Sequence, residues 1–205
     1  MQKQQDEYKR AIVRLVTTIP QNKRIISNHQ TKIKPHNVTQ NNATLKPNGL
    51  WYSVGSSWLE WCIANECKLN SIYIHELTIN EDLIIKVTNE AEFDALVAKY
   101  GIDDEKYEAA IGLSLNYFRR PNWQALTNKY AGIEIAPYLW SKRLNELWYY
   151  GWDCASGCIW DKAAIYNVQL YAQYYPKVRG FRRIKHEQSQ DIRTQCHQTI
   201  CLEGG

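Results

Sequence analysis

Two short segments carry residue types that could do chemistry. The first is Lys46-Pro47-Asn48-Gly49-Leu50-Trp51-Tyr52-Ser53, followed closely by Ser57-Trp58-Leu59-Glu60-Trp61-Cys62. Its Pro-Asn-Gly turn leads into a short strand, predicted over Leu50 to Val54, that delivers Trp51, Tyr52 and Ser53. Ser56 or Ser57 can then cap a helix, whose N-terminus offers backbone N–H groups and a favourable field to an anion. Trp58 and Trp61, three apart, share one face of that helix. Such a corner could wall a flat heterocycle and perch a diphosphate; it could equally be a strand–helix corner filled by indoles. The second segment is Trp148 to Trp160, W-Y-Y-G-W-D-C-A-S-G-C-I-W. Its small residues Ala155, Ser156 and Gly157 beside aromatics leave space near Asp153, and space near a polar group suits a ligand.

A chain of 205 residues fits one domain with its own core. Residues 1–10 read as a frayed or helical lead, 11–185 as a single domain and 186–205 as a polar tail. Eight Trp and fourteen Tyr stand against three Phe, and rings with polar tips suit a wet cleft as well as a core. The net charge of +4 is too small to announce a nucleic-acid binder. No run approaches the ~18 apolar residues of a membrane span and no signal peptide is visible, so the expected compartment is the cytoplasm and no membrane partner is expected. The cysteines fall as Cys62/Cys67, Cys154/Cys158 and Cys196/Cys201; these spacings miss the C-x-x-C of zinc ribbons, so no metal site is expected.

The elements read as α+β, with strands at both ends of the chain and helices in the middle. Ala11 to Thr18 is β-branched and closely followed by Pro20, predicting a strand with Arg14 facing away from Val13 and Leu15. Residues 21–44 read as a long polar loop. Ile72 to Leu77 and Leu83 to Val87 read as strands, and Thr88 can cap a helix carrying Phe93, Leu96, Val97 and Tyr100. Further helical pieces are expected from Asp103 and over Asn122 to Tyr130. Ile133 to Ile135, Trp148 to Asp153 and Ile159–Trp160 read as strands, while Tyr166 to Tyr174 fits either period.

Taken together, K-P-x-G-L-W-x-S, the nearby W-x-x-W-C, a central G-I-E-I and the late Y-G-W-D-C-x-S-x-x-x-W resemble a family of phage and bacterial proteins that look like mono-ADP-ribosyltransferases. Members include toxins of antiphage toxin–antitoxin systems, some thought to modify RNA. The resemblance covers roughly residues 46–160. It implies a split β-sheet core, NAD as a substrate, a macromolecular acceptor such as RNA, and a neutralising antitoxin, with a chaperone in three-component systems.

In that family the late motif usually reads D-C-E-S, and here it reads Asp153-Cys154-Ala155-Ser156. The resemblance makes Ala155 the position of the catalytic Glu and Asp153 the upstream, acceptor-facing member of the acidic pair. A carboxylate there stabilises the positive charge that develops on the ribose as the nicotinamide bond breaks, and can deprotonate the incoming nucleophile. Alanine can do neither, so transfer by this chain is expected to be nearly absent. By the same resemblance Ser53 lines the nicotinamide pocket, with Trp51, Tyr52 and Trp58 around it. Arg14 would be the first-strand arginine that grips NAD, with Lys46 or a basic residue of 21–36 as the alternative. The rival reading is a non-catalytic module whose aromatic cleft binds RNA or protein.

Overall fold

The computed structural model describes residues 2–42, 44–67, 72–103 and 119–184. The expected helical piece from Asp103 and the tail 186–205 lie outside the described residues, apart from Asp103 itself. Tyr8, Ala11, Ile12 and Leu15 recur at helical spacing and form the buried face of helix α1 (Gln2–Val16). This corrects the strand expected over Ala11 to Thr18. β-branched propensity is a weak prior, and here it yields to burial of that face against Ile25, Leu59, Ile74, Tyr171 and Tyr174.

The first strand is instead β1 (Arg24–Asn28), inside the segment read as loop. It is followed by β2 (Leu50–Val54), α2 (Ser57–Ala64), β3 (Tyr73–Ile79), β4 (Ile84–Val87) and α3 (Glu90–Tyr100). Then come β5 (Gly101–Asp103), β6 (Arg119–Pro121), α4 (Trp123–Thr127), β7 (Gly132–Ile135), α5 (Trp140–Asn145) and α6 (Leu147–Tyr150). The described chain closes with β8 (Ser156–Ile159), β9 (Ile165–Tyr175) and β10 (Gly180–Arg183). Helices and strands therefore interleave instead of segregating to the middle and the ends. Trp148 to Tyr150, expected as strand, is one helical turn that buries Trp148 and Tyr149. The cap of α3 is Asn89, whose side chain accepts from the Glu92 N–H; the neighbouring Thr88 instead donates to the Glu92 carboxylate.

Eight strands form one mixed sheet in the order β10-β9-β3-β1-β2-β8-β7-β4, antiparallel throughout except for the β4–β7 pair. Directly opposed residues share a face, and the pairings Ile25↔Ser53↔Ser156↔Ile135 and Trp51↔Cys158↔Ile133 define one of them. Two separate apolar clusters cover that face. Phe93, Trp123, Ile133, Ile135, Trp148 and Trp152 fill one, beneath α3, α4 and α6; the other lies beneath α1 and α2. The opposite face holds Ile26, Tyr52, Leu77 and Ile159, and the segment after β1 touches it through Ile33 and the Thr31 carbonyl.

Candidate functional site

Between the two clusters the sheet carries small polar residues instead of large apolar ones, and a cleft opens there. Ser27, Ser53 and Ser156 lie on its floor, where neighbouring strands carry Ile or Trp. Lys46, Trp51, Trp58, Trp152, Asp153 and Cys154 also line it, giving a volume of about 330 Å³, at the lower end of the range for small-molecule sites. Walls of indole around a floor of hydroxyls suit a flat, partly polar ring.

Each wall is fixed by its own element. Trp58 enters from the first turn of α2, stacked on Trp61 with ring centroids 5.2 Å apart. The Ser56 side chain makes no bond to a helix N–H; it donates to Glu60, four residues on. Trp51 and Trp152 meet edge to face at 4.9 Å, and the Lys46 ammonium sits 5.0 Å over the Trp51 ring, a cation–π contact. Ser53 Oγ donates to the Ile25 and Gly55 carbonyls. Two buried polar atoms, Ser27 Oγ and Trp152 Nε1, have no hydrogen-bond partner among the described residues. Buried polar groups are normally satisfied; these two lining residues each keep one unpartnered polar atom just beneath the cleft surface.

Ala155 comes immediately before β8. Its carbonyl accepts from the Val54 N–H at 2.9 Å and from the Ser57 hydroxyl at 2.7 Å. The residue is thereby tied to the end of the Ser53 strand and to the start of α2, between the cleft residues Cys154 and Ser156. Asp153 is on the cleft, 3.6 Å from the Arg143 guanidinium. Burial pushes the Cys154 thiol up, with Ser57 opposing, and pushes Cys158 up further; both stay protonated near neutrality and neither serves as a thiolate nucleophile.

Two expected residues sit elsewhere. Arg14 lies on the exposed side of α1, its Nε bonded back to the Arg10 carbonyl; it is on no strand and does not line the cleft, because the segment it belongs to is helical. Tyr52 borders the cleft, but strand alternation turns its ring to the opposite face, where the hydroxyl donates to Glu134 at 2.9 Å. The first-strand arginine is Arg24. Its Nε meets Glu134 at 2.6 Å and its Nη2 meets Glu81 at 2.9 Å, on the same side as Tyr52. Burial works against the Arg24 charge, but Glu134, Tyr52 and Glu81 more than offset it and raise its pKa above the ordinary value.

Ser27, Ile25 and Trp152 line the cleft without having been singled out in the sequence. β1 reads R-I-I-S-N, two apolar residues between polar ones, too short for a period to show. Among the described residues no group of three or more His, Cys, Asp or Glu could hold a metal, and no helix is long and apolar enough to cross a membrane. The chain matches no protein-family model, no curated protein and no solved structure.

Proposed function

We propose that the chain is an ADP-ribosyltransferase-like protein of the toxin type, whose cleft receives the nicotinamide end of NAD and which lacks the carboxylate needed for transfer. The observation that carries this reading is the β2–β8 register. Ser53 is paired with Ser156, so residue 155 adjoins the serine-floored cleft. The motif resemblance asks the same two positions to meet across one ligand. A sheet whose halves carry separate apolar clusters, with the cleft between them, accords with the split-sheet core implied by that resemblance.

With Arg24 engaged on the opposite face, the cation for the NAD phosphates is Lys46, already at the cleft wall. Trp58 or Trp51 flanks the nicotinamide ring. Ser27 Oγ and Trp152 Nε1, buried and without a partner among the described residues, would turn to its carboxamide or the ribose as the ligand enters. A volume near 330 Å³ suits a base with its sugar, leaving the adenylate half over the mouth. The acceptor is a macromolecule, and Asp153 stands at the rim to meet it.

The test is Ala155→Glu, expressed under tight control and given NAD labelled in its adenylate half. Release of nicotinamide and label in a macromolecule should rise by ~100-fold or more over the parent chain, the scale of a placed charge or base. NAD binding by Ala155→Glu without release or transfer would instead favour a silent binding module. The Arg143 guanidinium, 3.6 Å from Asp153, also favours that reading.

A further inference from the structure

Helix α2 ends in a Schellman motif built around two cysteines. The Cys67 N–H bonds the Cys62 carbonyl at 2.9 Å and the Glu66 N–H bonds the Ile63 carbonyl at 3.4 Å. Glu66 between them is left-handed, with φ 52°. This six-to-one and five-to-two pattern brings the side chains three residues before and two after the helix end into contact, and apolar pairs usually occupy those places. Here they are Cys62 and Cys67. Both line a surface cavity with Tyr8, Ile12 and Ile63. The inner thiol is 2% exposed, whereas Cys67 is open to solvent.

We propose that Cys62 and Cys67 form a reversible dithiol–disulfide pair, oxidised by low-molecular-weight disulfides such as oxidised glutathione. Cys67, the accessible sulfur, loses its proton and attacks glutathione disulfide. A sulfur–sulfur bond forms to Cys67 while the first glutathione leaves as thiolate. Cys62 then gives up its proton and attacks the Cys67 sulfur, expelling the second glutathione. The protein loses two protons and two electrons, and one glutathione disulfide becomes two glutathiones.

The order of attack follows from the surroundings. Burial, then the charge and hydrogen bonding of Cys67, push the Cys62 thiol up to about 12. Cys62 is therefore a poor first nucleophile and reacts once its neighbour holds a disulfide in contact with it. The other described cysteines do not compete. Cys154 and Cys158 are buried, and Cys158 is bonded to the Pro47 carbonyl. Closing the bond would tie down the last turn of α2, the helix that presents Trp58 to the cleft; the site itself stands independently of any reading of that cleft.

The experiment uses the full chain with Cys196→Ser and Cys201→Ser, equilibrated in glutathione redox buffers, quenched with an alkylating reagent under denaturing conditions and analysed by mass. The expected result is one population carrying two alkyl groups where the reduced protein carries four, and about 2 Da lighter beyond that difference. Cys62 and Cys67 should both be protected in the same peptide, and Cys154 and Cys158 both alkylated. Oxidation should raise Tm by several degrees, and Cys67→Ser should abolish both changes. A mixed glutathione adduct persisting on Cys67 while Cys62 remains alkylatable would overturn the proposal. So would covalent dimers, a bond involving Cys154, or no reaction at all.

Discussion

Replacing Glu134 by Gln removes the buried negative charge from the Arg24–Tyr52 network while keeping the size of the side chain. Glu134 accepts from Arg24 through both oxygens and from the Tyr52 hydroxyl. The pair is well shielded, with Arg24 and Glu134 side chains 14% and 10% exposed. Removing one partner of a buried ion pair costs about 3–5 kcal/mol, because the other charge is left without compensation. Glu81 still reaches Arg24, though it is half exposed; its help puts the expected loss near the low end, ~3 kcal/mol. At about 2–4 °C per kcal/mol for a chain of this size, Tm should fall by roughly 6–12 °C. Thermal and urea unfolding followed by circular dichroism would read this directly. The triple variant Arg24→Met/Tyr52→Phe/Glu134→Leu should lose less than Glu134→Gln, since an apolar trio carries no charge desolvation penalty and leaves no buried hydroxyl without an acceptor. Stability of Glu134→Gln within ~0.5 kcal/mol of the parent, or a triple variant worse than the single, would refute the reasoning.

Gly157 lies beneath the Tyr52 ring. A Cβ there would stand 2.3 Å from the Tyr52 hydroxyl and 2.7 Å from the Ile133 carbonyl oxygen, so Gly157→Ala should cost more than about 2 kcal/mol in chemical unfolding. Adding Tyr52→Phe should not restore it, because the ring carbon is also only 2.4 Å away; full rescue would contradict the packing. His75 supplies a pH dependence. Burial lowers its pKa below the ordinary 6.5, against the opposing bond to the Thr31 carbonyl. The imidazole is therefore neutral in the fold, while the unfolded chain takes up a proton first as pH falls. Stability should be complete above pH ~6.5 and fall on acidification below it, by at most ~1.4 kcal/mol per pH unit. His75→Leu should flatten the profile between pH 6.5 and 5.5, and an unchanged slope in that variant would assign the effect elsewhere.

The α+β class, β2, β7 and the helix behind Ser57 were legible because turn chemistry and burial point the same way there. Pro47-Asn48-Gly49 punctuates the chain, and Gly49 at φ 156° packs where a Cβ would strike the Ile159 carbonyl. α1 was misread because Ile12, Val13, Val16 and Thr17 argue locally for a strand. Only the positions that end up buried, at 8, 11, 12 and 15, show the helical period. β1 was hidden for the opposite reason: an inner strand flanked by β2 and β3, it is held by pairing with residues 28 to 53 positions away, which leaves little trace in R-I-I-S-N itself. That one error moved the first-strand arginine from Arg24 to Arg14. The cleft residues Trp51, Ser53 and Trp58 could be named from their motif. Ser27 joins them only through the register of the folded sheet, and Trp152 through the loop between α6 and β8.

Titration of the parent chain with NAD, followed by calorimetry and by tryptophan fluorescence, asks most directly whether the serine-floored cleft is a dinucleotide site. Saturable heat with quenching of the indoles is expected, with both lost in Ser53→Trp, which fills the floor, and weakened in Lys46→Glu. No heat or quenching at millimolar NAD, or binding that survives Ser53→Trp undiminished, would contradict it.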